Sequence, residues 1–314
     1  MPRMYVRRRI TLSAPAKINL HLEITGRRGD GYHDLCSLFL MVSLQDRIQV
    51  AVKRTGTEIR FYGREEIDAR LNTVRTALDL FRETTGFPDG VRVTVRKRIP
   101  QGSGLGGGSS DAATTLCALN RLCPAPLSRK KLMELGARIG SDVPFFFSAP
   151  FALVEGRGER VSPLSDPPRI AVLLIVPDFS VPTASAYRWY DEAIAGSGSE
   201  RDHAAGSALP SSGKRLPLDT GGAPVWEKCF NSFDRVLKER HSVYGELEKR
   251  LVQAGALMTG PSGSGAAYFG VFRERRAAVR ALADMDVTAR LLQTVVPVTH
   301  AFHQRNLWGT RHGT

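Results

Sequence analysis

Gly102-Ser103-Gly104-Leu105-Gly106-Gly107-Gly108-Ser109-Ser110-Asp111-Ala112-Ala113 joins a strand-like segment to a helix-like one through five glycines. Upstream, Val91-Arg92-Val93-Thr94-Val95 alternates apolar and polar residues as a half-buried strand does, and Ile99-Pro100 ends the alternation. Downstream, Ala112, Ala113, Leu116 and Leu119 recur at helical spacing, with Ser109, Ser110 and Asp111 expected to start and cap the helix. Glycines let the backbone approach a ligand, and the free N–H groups of a helix start attract an anion. The stretch reads as a phosphate cradle.

Three other glycine loops fail on specific residues. A Walker A loop ends in Gly-Lys-Ser/Thr, whereas this one ends in Gly-Ser-Ser and holds no lysine. Gly102, Gly104 and Gly107 satisfy G-x-G-x-x-G, but no ribose-binding acid follows about twenty residues on, where Pro124 interrupts the chain. A protein-kinase loop requires Val-Ala-Ile-Lys, His-Arg-Asp and Asp-Phe-Gly, and the chain has none of them; Asp178-Phe179-Ser180 is a near miss.

With Lys97-Arg98-Ile99-Pro100 before it, the loop resembles the second signature of the galactokinase, homoserine kinase, mevalonate kinase and phosphomevalonate kinase superfamily. Pro15-Ala16-Lys17-Ile18-Asn19-Leu20, Arg28-Gly29-Asp30-Gly31-Tyr32-His33-Asp34-Leu35 and Leu44-Gln45-Asp46 resemble the start of the 4-diphosphocytidyl-2-C-methyl-D-erythritol kinase family. Gly140-Ser141-Asp142-Val143-Pro144-Phe145-Phe146 resembles that family's catalytic segment. Gly260-Pro261-Ser262-Gly263-Ser264-Gly265 resembles the superfamily's third motif, with Pro261 where Met is usual. The likeness runs in order from about Ser13 to Phe272.

The resemblance implies an α+β fold of two domains, the N-terminal one like domain 2 of ribosomal protein S5 and the C-terminal one ferredoxin-like. It implies ATP-dependent phosphorylation of the 2-hydroxyl of 4-diphosphocytidyl-2-C-methyl-D-erythritol, in the non-mevalonate route to isoprenoid precursors. Asp142 would accept or orient the acceptor hydroxyl, and Lys17 would keep Asp142 ionised and stabilise charge on the transferring group. Pro100, Gly102, Gly104, Leu105, Gly106, Gly107, Gly108, Ser109 and Ser110 would hold ATP, with Asn72 and Lys97 near the adenine. Mg2+ would bridge the phosphates, through ligands the sequence leaves open. Tyr32 and Tyr187 would sandwich the cytosine, His33 would bond its edge, and Asn19 and Thr183 would meet the diphosphate or erythritol portion. Taken singly, Asp142 reads as a turn residue, Lys17 as a solvated charge and Tyr187 as a core contact.

Composition sets the frame independently. The chain has 314 residues, 42% of them hydrophobic, enough for two cores. A formal charge of +13 suits polyphosphate ligands as well as nucleic acid. No stripe of basic and aromatic residues of the kind single-strand binders use is evident. A small molecule rather than nucleic acid or a membrane is therefore the expected partner. Arg7-Arg8-Arg9 reads as the polar edge of a first strand, since no apolar run of signal or membrane length follows. Cys36, Cys117, Cys123 and Cys229 form no metal pattern and imply a reduced, cytoplasmic protein without structural zinc. A homoserine- or mevalonate-type kinase is the alternative within the class, disfavoured by Asp30-Gly31-Tyr32-His33; a basic RNA-binding protein is the alternative outside it.

Residues 1–163 are expected to form one domain and 164–298 a second, opened by the buried-strand run Ile170–Val176. A mobile insertion at about 194–224 and a tail without clear elements over 299–314 complete the expectation.

Overall fold

A computed structural model of the chain describes residues 9–63, 72–87, 90–196, 218, 222 and 224–309. Most of the expected 194–224 insertion, along with Arg7 and Arg8, lies outside the described residues.

The first sheet is built on a long antiparallel hairpin of β1 (Arg9–Arg27) and β2 (His33–Val52). The other edge of β2 is shared end to end by two strands. Its start pairs with β5 (Phe151–Gly156), which pairs with β6 (Arg160–Pro163); its end pairs with β4 (Val91–Arg96), which pairs in parallel with β3 (Thr57–Tyr62). Helices α1 (Thr73–Thr85), α2 (Gly107–Leu122) and α3 (Arg129–Ile139) pack together beside this sheet. Their core joins Val74, Leu78, Phe81, Leu116, Leu119 and Leu132 to Phe39, Met41, Ile48 and Val93.

A second sheet orders its strands β10-β7-β9-β8, all antiparallel: β7 (Ala171–Pro177), β8 (Met258–Pro261), β9 (Tyr268–Phe272) and β10 (Ala289–Val295). With it go α4 (Thr183–Gly196), α5 (Asp234–Arg240), α6 (Val243–Gln253) and α7 (Arg275–Ala283). Every residue of β7 is buried. Val172, Leu174 and Val176 meet Ala16, Ile18, Leu20, Leu38 and Leu40 of the first sheet, while Ala171, Leu173 and Ile175 meet the helices. Burying a Val, Leu or Ile side chain contributes roughly 1.5–3 kcal/mol, so a strand apolar on both faces is stable only between two layers. The same alternation that buries Ala16, Ile18 and Leu20 between the sheets turns Lys17 and Asn19 to the opposite face of β1.

The 299–314 stretch departs from expectation. Residues His300–Trp308 form a helix, α8, whose Thr299 hydroxyl accepts from the Phe302 amide at 3.2 Å. It returns to the first core through Val298 and Leu307, and Asn306 exchanges two hydrogen bonds with the backbone of Ser13. Polar ties and two buried side chains, His303 and Leu307, hold it rather than a broad apolar stripe, so its periodicity is faint.

Candidate active site

The glycine loop borders a cleft of about 470 Å³. Asn72, Lys97, Pro100, Gly102, Gly104, Leu105, Gly106, Gly107, Gly108 and Ser109 all line it, together with Phe61, Thr73 and Asp111. Asn72 caps α1, accepting from the Arg75 amide at 2.9 Å. Ser110 does not line the cleft: it is fully buried, and among the described residues its hydroxyl has no partner. The expected capping by Ser109, Ser110 and Asp111 is also overturned. Helix α2 begins at Gly107 and is capped by Gly106, whose φ of 69° glycine tolerates, so the serines fall inside the first turn.

Two glycines are required by protein neighbours rather than by a ligand. A Cβ at Gly104 would stand 2.0 Å from the Ser262 carbonyl oxygen, and one at Gly106 would stand 2.9 Å from Lys17 Cγ and 3.2 Å from Phe146 Cζ. The loop is further tied down by the Lys17 amide, which donates to Leu105 O at 2.9 Å, and by Ser262 Oγ, which donates to Gly104 O at 2.9 Å. Pro261 fits because it ends β8, an edge strand, and its carbonyl accepts from Asn231 Nδ2 at 2.8 Å.

Lys97 lies in a buried charge cluster that sequence patterning does not reveal. Its ammonium contacts Asp46 and donates to Asp111 Oδ2 at 2.7 Å. Asp46 also accepts from the Arg98 and Ile99 amides, so three donors serve it. Asp111 has Lys97 as its donor, and among the described residues its buried Oδ1 has no hydrogen-bond partner. Burial, reinforced by the Asp46 charge, pushes the Asp111 carboxyl up to about 8, while the two carboxylates hold the Lys97 ammonium above its usual range against its own burial. The folded protein therefore keeps a proton that the unfolded chain releases near pH 3.9, and stability falls as pH rises from about 4 to about 8. Asp111→Asn should abolish that decline and be at least as stable as the parent at pH 8. Urea denaturation across that range checks it; an unchanged slope would show that Asp111 does not hold the proton.

Lys17 stands at the loop end of the cleft. Its ammonium is buried, donates to Asn19 Oδ1 at 2.7 Å, lies 4.7 Å from the centre of the Phe39 ring and is 3.6 Å from Asp142 Oδ2. Burial lowers its pKa, and Asp142 opposes that shift. Asp142 follows α3 on a turn closed by the Val143 amide on Gly140 O, and is anchored by the buried Phe145, Phe146 and Phe147. Its side chain remains 32% exposed, leaving a carboxylate open to a hydroxyl. Asn19 Nδ2 donates to Ser37 Oγ at 3.0 Å, so Asn19 is a fixed strut for Lys17.

Beyond Asp142, Tyr187 of α4 stacks on His33 at 4.8 Å with 22° between the rings. Burial and the Asp142 charge push its hydroxyl up to about 12, which ties this aromatic pair to the Lys17–Asp142 end of the site. Tyr32 is 59% exposed, with the Arg157 guanidinium 5.1 Å from its ring centre. The expected Tyr32–Tyr187 sandwich is thus not preformed, because His33 covers one face of Tyr187. Thr183 is exposed at the start of α4 and accepts from Ser264 Oγ at 3.2 Å. Among the described residues, no cluster of three His, Cys, Asp or Glu side chains could cage a metal, and no helix is long and apolar enough to cross a membrane. None of the four cysteines is in a disulfide.

Residues 72–149 match the family described as GHMP kinases N terminal domain, which with the two-sheet architecture and the loop cleft defines a small-molecule kinase. The chain is 36% identical over 288 residues to a 4-diphosphocytidyl-2-C-methyl-D-erythritol kinase of Thermodesulfovibrio yellowstonii, covering 91% of this chain and 98% of the relative. It is 39% identical over 269 residues to the protein of the same name from Symbiobacterium thermophilum, covering 85% and 92%. A crystal structure of 4-(cytidine 5'-diphospho)-2C-methyl-D-erythritol kinase superposes with a TM-score of 0.73 at 35% identity, covering 91% of this chain and 99% of that one. The chain belongs to the 4-diphosphocytidyl-2-C-methyl-D-erythritol kinase family.

Proposed function

We infer that the protein transfers the γ-phosphate of ATP to the 2-hydroxyl of 4-diphosphocytidyl-2-C-methyl-D-erythritol, a step of non-mevalonate isoprenoid precursor biosynthesis. The observation that carries the residue assignments is one continuous line of contacts. Gly106 lines the nucleotide-sized cleft and abuts Lys17, and Lys17 faces Asp142.

In this reading the amides at the start of α2 hold the phosphates of ATP, where the helix dipole favours negative charge. Asn72 and Lys97 line the same cleft, Lys97 beside Gly107 and Asn72 next to Thr73, whose hydroxyl donates to Gly108 O at 2.7 Å. The acceptor hydroxyl lies against Asp142, its oxygen bonds to the γ-phosphorus as the bond to the β–γ bridging oxygen breaks, and its proton passes to Asp142. Lys17, fixed by Asn19, offsets charge spreading over the transferring group. Mg2+ fits as part of Mg-ATP rather than as a resident ion, since the phosphates supply ligands that the described residues do not cage. Ser109, a hydroxyl of the loop that lines the cleft, would meet it. When bound, the ion neutralises the polyphosphate charge. Tyr32, His33, Tyr187 and Thr183 line the acceptor side. Four cysteines outside disulfides suit a reduced, cytoplasmic setting.

Purified protein with Mg-ATP should release ADP with the cytidylyl alcohol and leave homoserine and mevalonate untouched. Turnover of either of those with none of the cytidylyl compound would leave only the superfamily assignment.

A further inference from the structure

His33 opens β2, and three side chains of α4 surround its imidazole. Tyr187 covers one face at 4.8 Å, Tyr190 presents an edge at 6.4 Å, and Asp191 Oδ1 lies 2.8 Å from Nε2. The other oxygen of Asp191 faces Arg27 Nη1 at 3.7 Å. Residues 187 and 191 are one helical turn apart, so a single helix face both stacks on the ring and grips one of its nitrogens. An ionised carboxylate only accepts hydrogen bonds, so Nε2 must carry the hydrogen. In the neutral imidazole Nδ1 is then a bare acceptor, the tautomer being set by the bond the other nitrogen makes. Among the described residues Nδ1 makes no hydrogen bond of its own, and His33 is buried, with 8% of the residue exposed.

We propose that Asp191 is a specificity-determining positioning residue: it locks His33 as the Nε2–H tautomer, so that Nδ1 accepts from the exocyclic amine of cytosine and rejects uracil. Cytosine carries an N4 amine donor where uracil carries an O4 acceptor, so a fixed acceptor separates the two. A site that offers one hydrogen-bond pattern leaves its buried group unpaired against the mismatched base, which makes such rejection large. The proposal rests on the cytidylyl assignment above, with His33 at the base edge. Asp191 itself touches no substrate atom and acts through the ring.

The test compares the parent, Asp191→Asn and His33→Ala in the full-length protein. Nitrogen-15 NMR of the parent imidazole should report hydrogen on Nε2 only. Calorimetric titration with CDP and with UDP should show a preference for CDP in the parent. Asp191→Asn can donate to Nε2 and so permits the Nδ1–H form; the preference should shrink by about tenfold or more. ATP affinity, melting temperature and kcat at saturating substrate should stay near the parent's, which separates base reading from a structural loss. Asp191→Glu, which restores the acceptor, should recover part of the preference. An imidazolium or Nδ1–H form in the parent, an absent CDP preference, or a preference retained in Asp191→Asn would overturn the proposal. Failure of the kinase reading looks different: CDP preference and its loss in Asp191→Asn would stand, with no phosphoryl transfer by the parent.

Discussion

Asp142→Asn is expected to lower kcat by about a hundredfold or more, while the KM for ATP moves by less than about threefold. The amide fills the same space but takes up no proton from the acceptor hydroxyl, so the loss falls on the transition state. Lys17→Met should produce a loss of at least similar size. Its ammonium is already desolvated, held by Asn19 and 3.6 Å from Asp142 Oδ2, so the parent pays no reorganisation when charge develops beside the loop. The two losses should combine to less than their product, because both groups act on one transferring phosphoryl. Single-turnover rates with saturating Mg-ATP check this. A folded Asp142→Asn protein turning over within a few-fold of the parent would remove Asp142 from the chemistry.

Lys97→Met is expected to destabilise the protein by about 3–5 kcal/mol in the absence of nucleotide, the usual effect of removing one partner of a buried ion pair. Asp46 keeps the Arg98 and Ile99 amides, but Asp111 loses its one donor and faces a second carboxylate in a buried site. Asp111→Asn placed on top should recover part of the loss, since the amide stays neutral beside the Asp46 carboxylate without having to hold a proton. Denaturant unfolding of the four proteins of the cycle measures the coupling. A Lys97→Met protein within about 1 kcal/mol of the parent would mean that the cluster does not hold the cradle.

The parts legible in the sequence are those whose chemistry is local. The glycines mark a loop before a helix start, the unbroken run around Val172–Val176 could only be a doubly covered strand, and the lysine and aspartate segments carry a family likeness, although the neighbours that require Gly104 and Gly106 are distant in sequence. The assignments that failed are set by distant partners. Ser110 looks like a loop hydroxyl until α2 starts three residues earlier, at Gly107, and turns it inward. Asp46 and Asp111 are 65 residues apart, and nothing in either neighbourhood announces that Lys97 bridges them. A lysine two residues before the strand-ending Ile99-Pro100 is the one hint the sequence holds. Helix α8 was missed because Thr299, Asn306 and Trp308 hold it by capping, backbone pairing and the Arg129 guanidinium rather than by a stripe. Tyr187 was read as either base partner or core; it touches both Phe233 of the second core and His33 of the site.

The central claim is transfer of phosphate to one particular hydroxyl, and proton-coupled phosphorus-31 NMR of the product formed from Mg-ATP and the cytidylyl alcohol tests it most directly. The 2-hydroxyl sits on the methyl-bearing carbon, which carries no hydrogen, so the new phosphomonoester should appear as a single unsplit line. It should be absent with Asp142→Asn over the time in which the parent reacts to completion. A phosphomonoester line split by carbon-bound hydrogens would place the phosphate on another hydroxyl, and phosphate released without any new ester line would make the protein an ATPase toward this compound. Either result would contradict the account.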